Sequence, residues 1–144
     1  MEISKKIIIY YFSGTGNAES VCQWIKEAAL GKKYSVEIIN IARLEKRKIE
    51  DIPKEALIGF CSPTHGFNFP PIMLHFIMRF PKGQKNKAFI INTRAGMKFG
   101  KMFVAGLSGV ALLLAAILLK MKGYAIIGLR SIDLPSNWIS LHPG

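Results

Sequence analysis

The stretch that most constrains this chain is residues 6–12, KIIIYYF, with SGTGNA directly behind it at residues 13–18. The first part is apolar on both faces, as a strand in the middle of a parallel sheet is. The second part is small, polar and glycine-rich, so the strand has to end there in a turn. Residues 18–30 then place Val21, Trp24, Ile25, Ala28 and Ala29 at helical spacing, and Gly31 stands where a C-cap belongs. A strand, a tight glycine turn and a helix start form an anion site. The free N–H groups of the first helical turn and the positive end of the helix dipole converge on one point.

The rest of the chain repeats this alternation. Residues 34–41 (YSVEIINI) alternate in polarity and predict a strand at a sheet edge, and the charged stretch 42–54 predicts a loop or short helix. Residues 56–61 (ALIGFC) read as a third strand, followed by the loop SPTHGFNFPP. Pro71 opens a helix that runs to Pro81, residues 88–92 (AFIIN) form a fourth strand, and TRAGMKFG is a second glycine-containing loop. Residues 101–121 read as a helix stopped by Gly123, residues 124–129 (YAIIGL) as a fifth strand, and the tail from Arg130 as irregular. Crossovers of this length predict parallel pairing, hence a doubly wound α/β sheet of five strands. The length of 144 residues fits one domain.

One run competes with this reading. Residues 103–119 (FVAGLSGVALLLAAILL) contain no charge and approach the length of a membrane span. They also stand between the fourth and fifth strands, where the fold needs its most buried helix, and we assign them to that helix. The N-terminus lacks a signal-peptide cleavage pattern. Cys22 and Cys61 are in neither metal-ligand nor redox spacing, which predicts free thiols and a cytoplasmic protein.

The glycine loop discriminates among ligands. A Walker A loop needs Gly-Lys-Ser/Thr at its end, whereas Gly16 is followed by Asn17 and Ala18. A dinucleotide fingerprint needs a third glycine where Glu19 stands, and an acid after the second strand where Asn40 and Ile41 stand. What remains is a loop whose hydroxyls and amides wrap a monophosphate without a lysine.

SGTGNA resembles the phosphate loop of the flavodoxins, which bind FMN. The usual pattern has a hydroxyl residue where this chain has Ala18. The resemblance implies a flavodoxin-like sheet of order 2-1-3-4-5. It also implies that Ser13, Gly14, Thr15, Gly16, Asn17 and Ala18 hold the phosphate. Pro63, Thr64, His65, Gly66 and Phe67, after the third strand, look like the loop that holds the isoalloxazine, with the Gly66 peptide free to flip toward flavin N5. His65, Phe67 or Phe69 is expected against a ring face. Asn92, Thr93, Arg94, Ala95 and Gly96 resemble the second flavin loop, and Phe99 or Met97 stands where relatives stack a tyrosine. His75 is expected in a packing or surface role. No metal site and no catalytic nucleophile or acid–base pair is expected.

The whole chain, through SNW and the closing HPG, is similar to the N-terminal flavodoxin domain of the ferrodoxin family, in which a two-cluster ferredoxin domain follows. Two cysteines cannot build even one four-cysteine cluster. The resemblance therefore implies either a fragment without its iron–sulfur half and without the last flavodoxin helix, or a tail that covers that face differently. An apolar patch beside strand five follows, covered by a homodimer or by a missing partner.

The implied function is electron transfer through FMN. A quinone- or NAD(P)H-dependent flavin reductase is the enzymatic alternative, and a flavin-free partner-binding domain is the third. The net charge of +11 sits in clusters such as Lys5–Lys6, Lys82–Lys87 and Lys120–Lys122. It points to an acidic redox partner, such as the ferredoxin domain. Aromatic residues do not interleave with these clusters, which argues against nucleic acid.

Overall fold

The structure, a computed structural model, describes residues 5–13, 16–43, 52–63, 69–95 and 112–134, with only the backbone of Asn17, Arg94, Ala95 and residues 131–134. Five parallel strands form one sheet: β1 (Lys5–Tyr11), β2 (Tyr34–Asn40), β3 (Leu57–Pro63), β4 (Lys87–Ala95) and β5 (Ala125–Leu134). Their order is β2-β1-β3-β4-β5, as the resemblance implied. Among the described residues three helices connect them: α1 (Asn17–Leu30), α2 (Pro71–Arg79) and α3 (residues 112–121), with a 3-10 turn at Ile41–Arg43 after β2.

The sheet has two covered faces. Ile7, Ile9, Tyr11 and Cys61 point to the α1 side and pack on Ala18, Val21 and Cys22. Ile8, Tyr10, Ile58, Phe60, Ala88 and Ile90 point to the other side, against Met73 and Ile77 of α2 and Ala115 and Leu119 of α3. Strands β1 and β3 are therefore apolar on both faces because helices lie on both faces. β2, the edge strand, is less deeply buried. The larger core centres on Tyr10, Phe60, Phe76, Phe80 and Tyr124, whose ring centroids lie 5.1–6.4 Å apart.

Several sequence expectations are corrected. β4 continues through Thr93, Arg94 and Ala95, where a loop was expected, and β5 continues through residues 130–134, where the tail was expected to be irregular. Each extension pairs with the other, Arg94 opposite Asp133 and Ala95 opposite Leu134, a non-local gain that neither segment shows alone. Gly31 is the C-cap of α1, as expected, at φ −80°; the left-handed residue beyond it is Lys33, at φ 62°. Gly123 does end α3 in the expected way: at φ 93° it lets Tyr124 N donate to Leu119 O and its own N–H to Lys120 O. α3 is not buried all round, because its outer side carries exposed leucines.

The end of the sheet opposite the strand C-termini is tied by polar side chains. Asn86 is buried. Its Nδ2 donates to Pro53 O and Ala56 O at 2.8 and 3.0 Å, and its Oδ1 accepts from Gln84 N at 3.0 Å. The Tyr124 hydroxyl donates to Pro81 O at 2.8 Å. Burial, with a smaller contribution from nearby Tyr10, pushes the Tyr124 hydroxyl well above the usual phenol range. The fold thus favours the neutral phenol. The stabilisation is complete below pH of about 10, the ordinary phenol value, and is lost as pH rises toward the folded value. Tyr124→Phe is expected to lower stability by about 1 kcal/mol at neutral pH and to flatten the alkaline decline, measured by urea melts across pH.

Candidate functional site

Because all five strands are parallel, the segments after β1, β3 and β4 leave from one edge of the sheet. α1 returns over one face and α2 over the other, so the gap between β1 and β3 is the switch point at which doubly wound sheets bind ligands.

β1 ends at Tyr11, and Phe12 N donates to Cys61 O at 3.1 Å, which fixes the start of the turn against β3. Ser13 Oγ accepts from Gly16 N at 2.8 Å and closes the turn internally. Gly16 is the N-cap of α1 at φ 93°, a conformation in which an L side chain is strained. Among the described residues no side chain caps the helix. Its first-turn N–H groups therefore have the orientation and the free valence that an anion needs. Ser20, by contrast, turns its hydroxyl back onto Gly16 O at 3.0 Å.

Ala18 is the sequence departure with a structural reason. It is buried, and its methyl packs with Val21 and Cys22 on the sheet. A hydroxyl at this place would face the core, so Ala18 offers an anion only its backbone. Cys61, opposite on β3, donates Sγ to Ala18 O at 3.7 Å, and its thiol also meets the Cys22 side chain. That contact, together with burial, pushes the Cys61 thiol well above its usual range. The two cysteines, distant in sequence, are free and adjacent in space.

At the far side of the switch point the strand ends are polar and buried. Ser62 pairs with Asn92, and Pro63 with Thr93, and Ser62, Asn92 and Thr93 are each at most 3% exposed. Asn92 has no exposure, and among the described residues neither Oδ1 nor Nδ2 finds a hydrogen-bond partner. The contrast with Asn86, whose carboxamide is used at both atoms, is sharp. A buried amide without partners marks a place where a polar group is still to arrive.

Of the residues expected at the site, Ser13, Gly16 and Ala18 lie at the turn, and the backbone of Asn17 opens α1. Pro63 ends β3, while Asn92, Thr93, Arg94 and Ala95 belong to β4 and not to a loop. Phe69, expected as one of three candidates at a ring face, is buried in the α2-side core cluster that also holds Met73 and Ile77. His75 is exposed on α2. Gly14, Thr15, Thr64, His65, Gly66, Phe67, Gly96, Met97 and Phe99 lie outside the described residues, as does the chain after Leu134 where the last helix was expected missing. Sequence reasoning missed Tyr11, at the mouth of the turn. Burial first, then the Glu19 carboxylate, raises its hydroxyl above the usual range, with Arg43 and a hydrogen bond to Asn40 opposing. Its pairing with Asn40 across β1 and β2 is set by register and has no local signature.

Among the described residues no group of His, Cys, Asp or Glu has the arrangement to hold a metal, and no helix is long and apolar enough to cross a membrane.

The comparisons agree with this geometry. No curated protein matches the chain. The two-electron reduced flavodoxin of Megasphaera elsdenii superimposes with a TM-score of 0.69 at 19% identity, over 91% of this chain and 89% of that one. Oxidised flavodoxin 1 from Bacillus cereus gives 0.65 at 19% identity, over 95% and 91%. The rubredoxin:oxygen oxidoreductase of Desulfovibrio gigas gives 0.65 at 13% identity, and there the chain covers 96% of itself but 34% of the larger protein. The flavodoxin family model matches residues 9–130, from the first strand through the glycine turn and both polar strand ends to the fifth strand. With that match spanning most of its length, the chain belongs to the flavodoxin family.

Proposed function

We propose that this chain is an electron-transfer domain that binds FMN at the strand C-termini, with the phosphate on the first turn of α1. The observation that carries the reading is the uncapped start of α1 behind left-handed Gly16. It suits a compact dianion and lacks the lysine that a triphosphate loop would supply. When bound, FMN supplies the one- and two-electron chemistry, and the protein sets its orientation and surroundings. Ser13, Gly14, Thr15, Gly16, Asn17 and the Ala18 backbone are the phosphate group. Pro63 through Phe67 and Asn92 through Gly96, with Phe99, form the ring site. Arg94 and Lys98 favour negative charge there, and an acidic partner is the natural exchange surface for a basic domain. Free, adjacent Cys22 and Cys61 suit a reducing cytoplasm.

The test compares FMN with riboflavin. FMN is expected to bind on the order of a hundredfold more tightly, since riboflavin lacks the group that the helix start recognises. Equal affinities would remove the phosphate from α1.

Asn92 gives a second, independent check. Asn92→Leu removes an unsatisfied buried amide and is expected to stabilise the flavin-free protein by about 1–2 kcal/mol. The same change is expected to weaken FMN about tenfold, because the polar group that Asn92 awaits arrives with the cofactor and its ring loops. Opposite signs in the urea melt and the FMN titration support this role, and a stabilised variant with unaltered affinity contradicts it.

A further inference from the structure

The outer surface of the α2–α3 layer has a composition unusual for a helix that faces water. α3 spends Leu112, Ala115, Ala116 and Leu119 on the core. Its opposite stripe is also apolar: Leu113 is 56% exposed, Ile117 47% and Met121 80%, at i, i+4 and i+8, with Leu114 beside them. A surface helix of a doubly wound fold ordinarily carries charge on this side. Neighbouring α2 adds exposed Ile72 and Met78.

The described charges on the two helices of this layer and on the loop between α2 and β4 are of one sign. Between Ala56 and Ile132 the sequence has no acidic residue and ten Lys or Arg, and every acidic residue except Asp133 stands at or before Glu55. Both helices of this layer and the loop between α2 and β4 belong to that acid-free stretch. The loop and the end of α3 are bonded together: Lys122 Nζ donates to Phe80 O at 2.8 Å, Gly83 N to Lys122 O at 2.8 Å, and Lys85 N to Gly123 O at 3.1 Å. Arg79, Lys82, Lys85, Lys120 and Lys122 are thereby gathered at one end of the apolar stripe. This end is opposite the strand C-termini, so it is separate from the proposed cofactor site.

We propose that this face lies on an anionic lipid bilayer, with Leu113, Ile117 and Met121 in the headgroup boundary and the clustered lysines on the lipid phosphates. Apolar anchors beside a basic cluster are what an interfacial helix presents. The described part of α3 is too short to span a bilayer, and its lysines reach the interface when it lies flat. A second copy of the chain is disfavoured by charge, since two such faces would bring two basic clusters together. The proposal does not depend on flavin.

The experiment is vesicle flotation of the intact chain with phosphatidylcholine alone and with phosphatidylglycerol added, at low and high salt. Binding is expected with phosphatidylglycerol and is expected to weaken with salt. Ile117→Gln with Met121→Gln is expected to lower it about tenfold. Lys85→Glu with Lys120→Glu is expected to bring it to the level of phosphatidylcholine alone. All four positions are exposed, so melting temperatures near that of the parent confirm folded variants. Absence of binding to either vesicle overturns the proposal. So does binding that ignores the Ile117/Met121 change, which would be unspecific charge attraction. A lipid-free dimer dissolved by that same change would assign the face to a second copy and overturn it as well.

Discussion

Phe80→Ala is expected to cost about 3–5 kcal/mol of folding stability, the largest single effect in the core. Phe80 is 1% exposed and lies within 5.1 Å, centroid to centroid, of both Tyr10 and Phe60, each edge-on. It also contacts Phe76 of α2 and Tyr124, the residue before β5, so one ring joins β1, β3, α2 and the entry to β5. Its carbonyl accepts from Lys122, and its N–H donates to Ile77 O as the cap of α2. Loss of the ring leaves a cavity that four surrounding aromatic rings cannot close by small shifts. The check is a urea melt of the flavin-free protein. Phe80→Leu is expected to lose less than half as much, because it fills part of the volume. A loss below about 1 kcal/mol for the alanine variant would mean that this cluster is not the centre of the core.

Gly16→Asp is expected to weaken FMN by a hundredfold or more while leaving the sheet folded. Two effects add. A side chain at φ 93° is strained by about 1–2 kcal/mol, which the turn relieves by shifting the N–H groups it should present. The carboxylate then stands beside a dianionic phosphate, and two like charges about 5 Å apart repel by roughly 3 kcal/mol at an effective dielectric of 20. Among the described residues nothing lies within 4 Å of where a side chain would start, so the loss would be conformational and electrostatic, without a steric clash. Gly16→Ala separates them: it carries the strain alone and is expected to lose about tenfold. Equal affinities of the parent and the aspartate variant would place the phosphate elsewhere.

The sheet order came from the family resemblance, whereas the central strands, the glycine turn, Pro71 at the start of α2 and Gly123 at the end of α3 were legible because each rests on a local rule: two-faced apolar runs, fixed φ, or a missing N–H. The far ends of β4 and β5 were not, since the two segments pair backbone to backbone only once both strands are side by side. Phe69 looked available to a ligand because loop position says nothing about which way a ring turns, and the core took it. Cys22 and Cys61 showed no pattern in sequence, yet packing α1 on β3 brings their thiols together. Asn92 was legible as a residue of the site. Its distinguishing property, a buried amide without partners, is visible only when the sheet closes around it. The apolar run before Gly123 raised the question of a membrane, and the structure divides its described part into a core-facing side and an exposed side.

The most direct test of the central claim is a titration of the purified chain with FMN, followed by quenching of flavin fluorescence. Sub-micromolar binding, with riboflavin much weaker and Gly16→Asp abolishing it, is the result predicted by a phosphate held at the start of α1. No quenching by FMN in the unaltered protein would contradict it and leave a flavodoxin fold that works without its flavin.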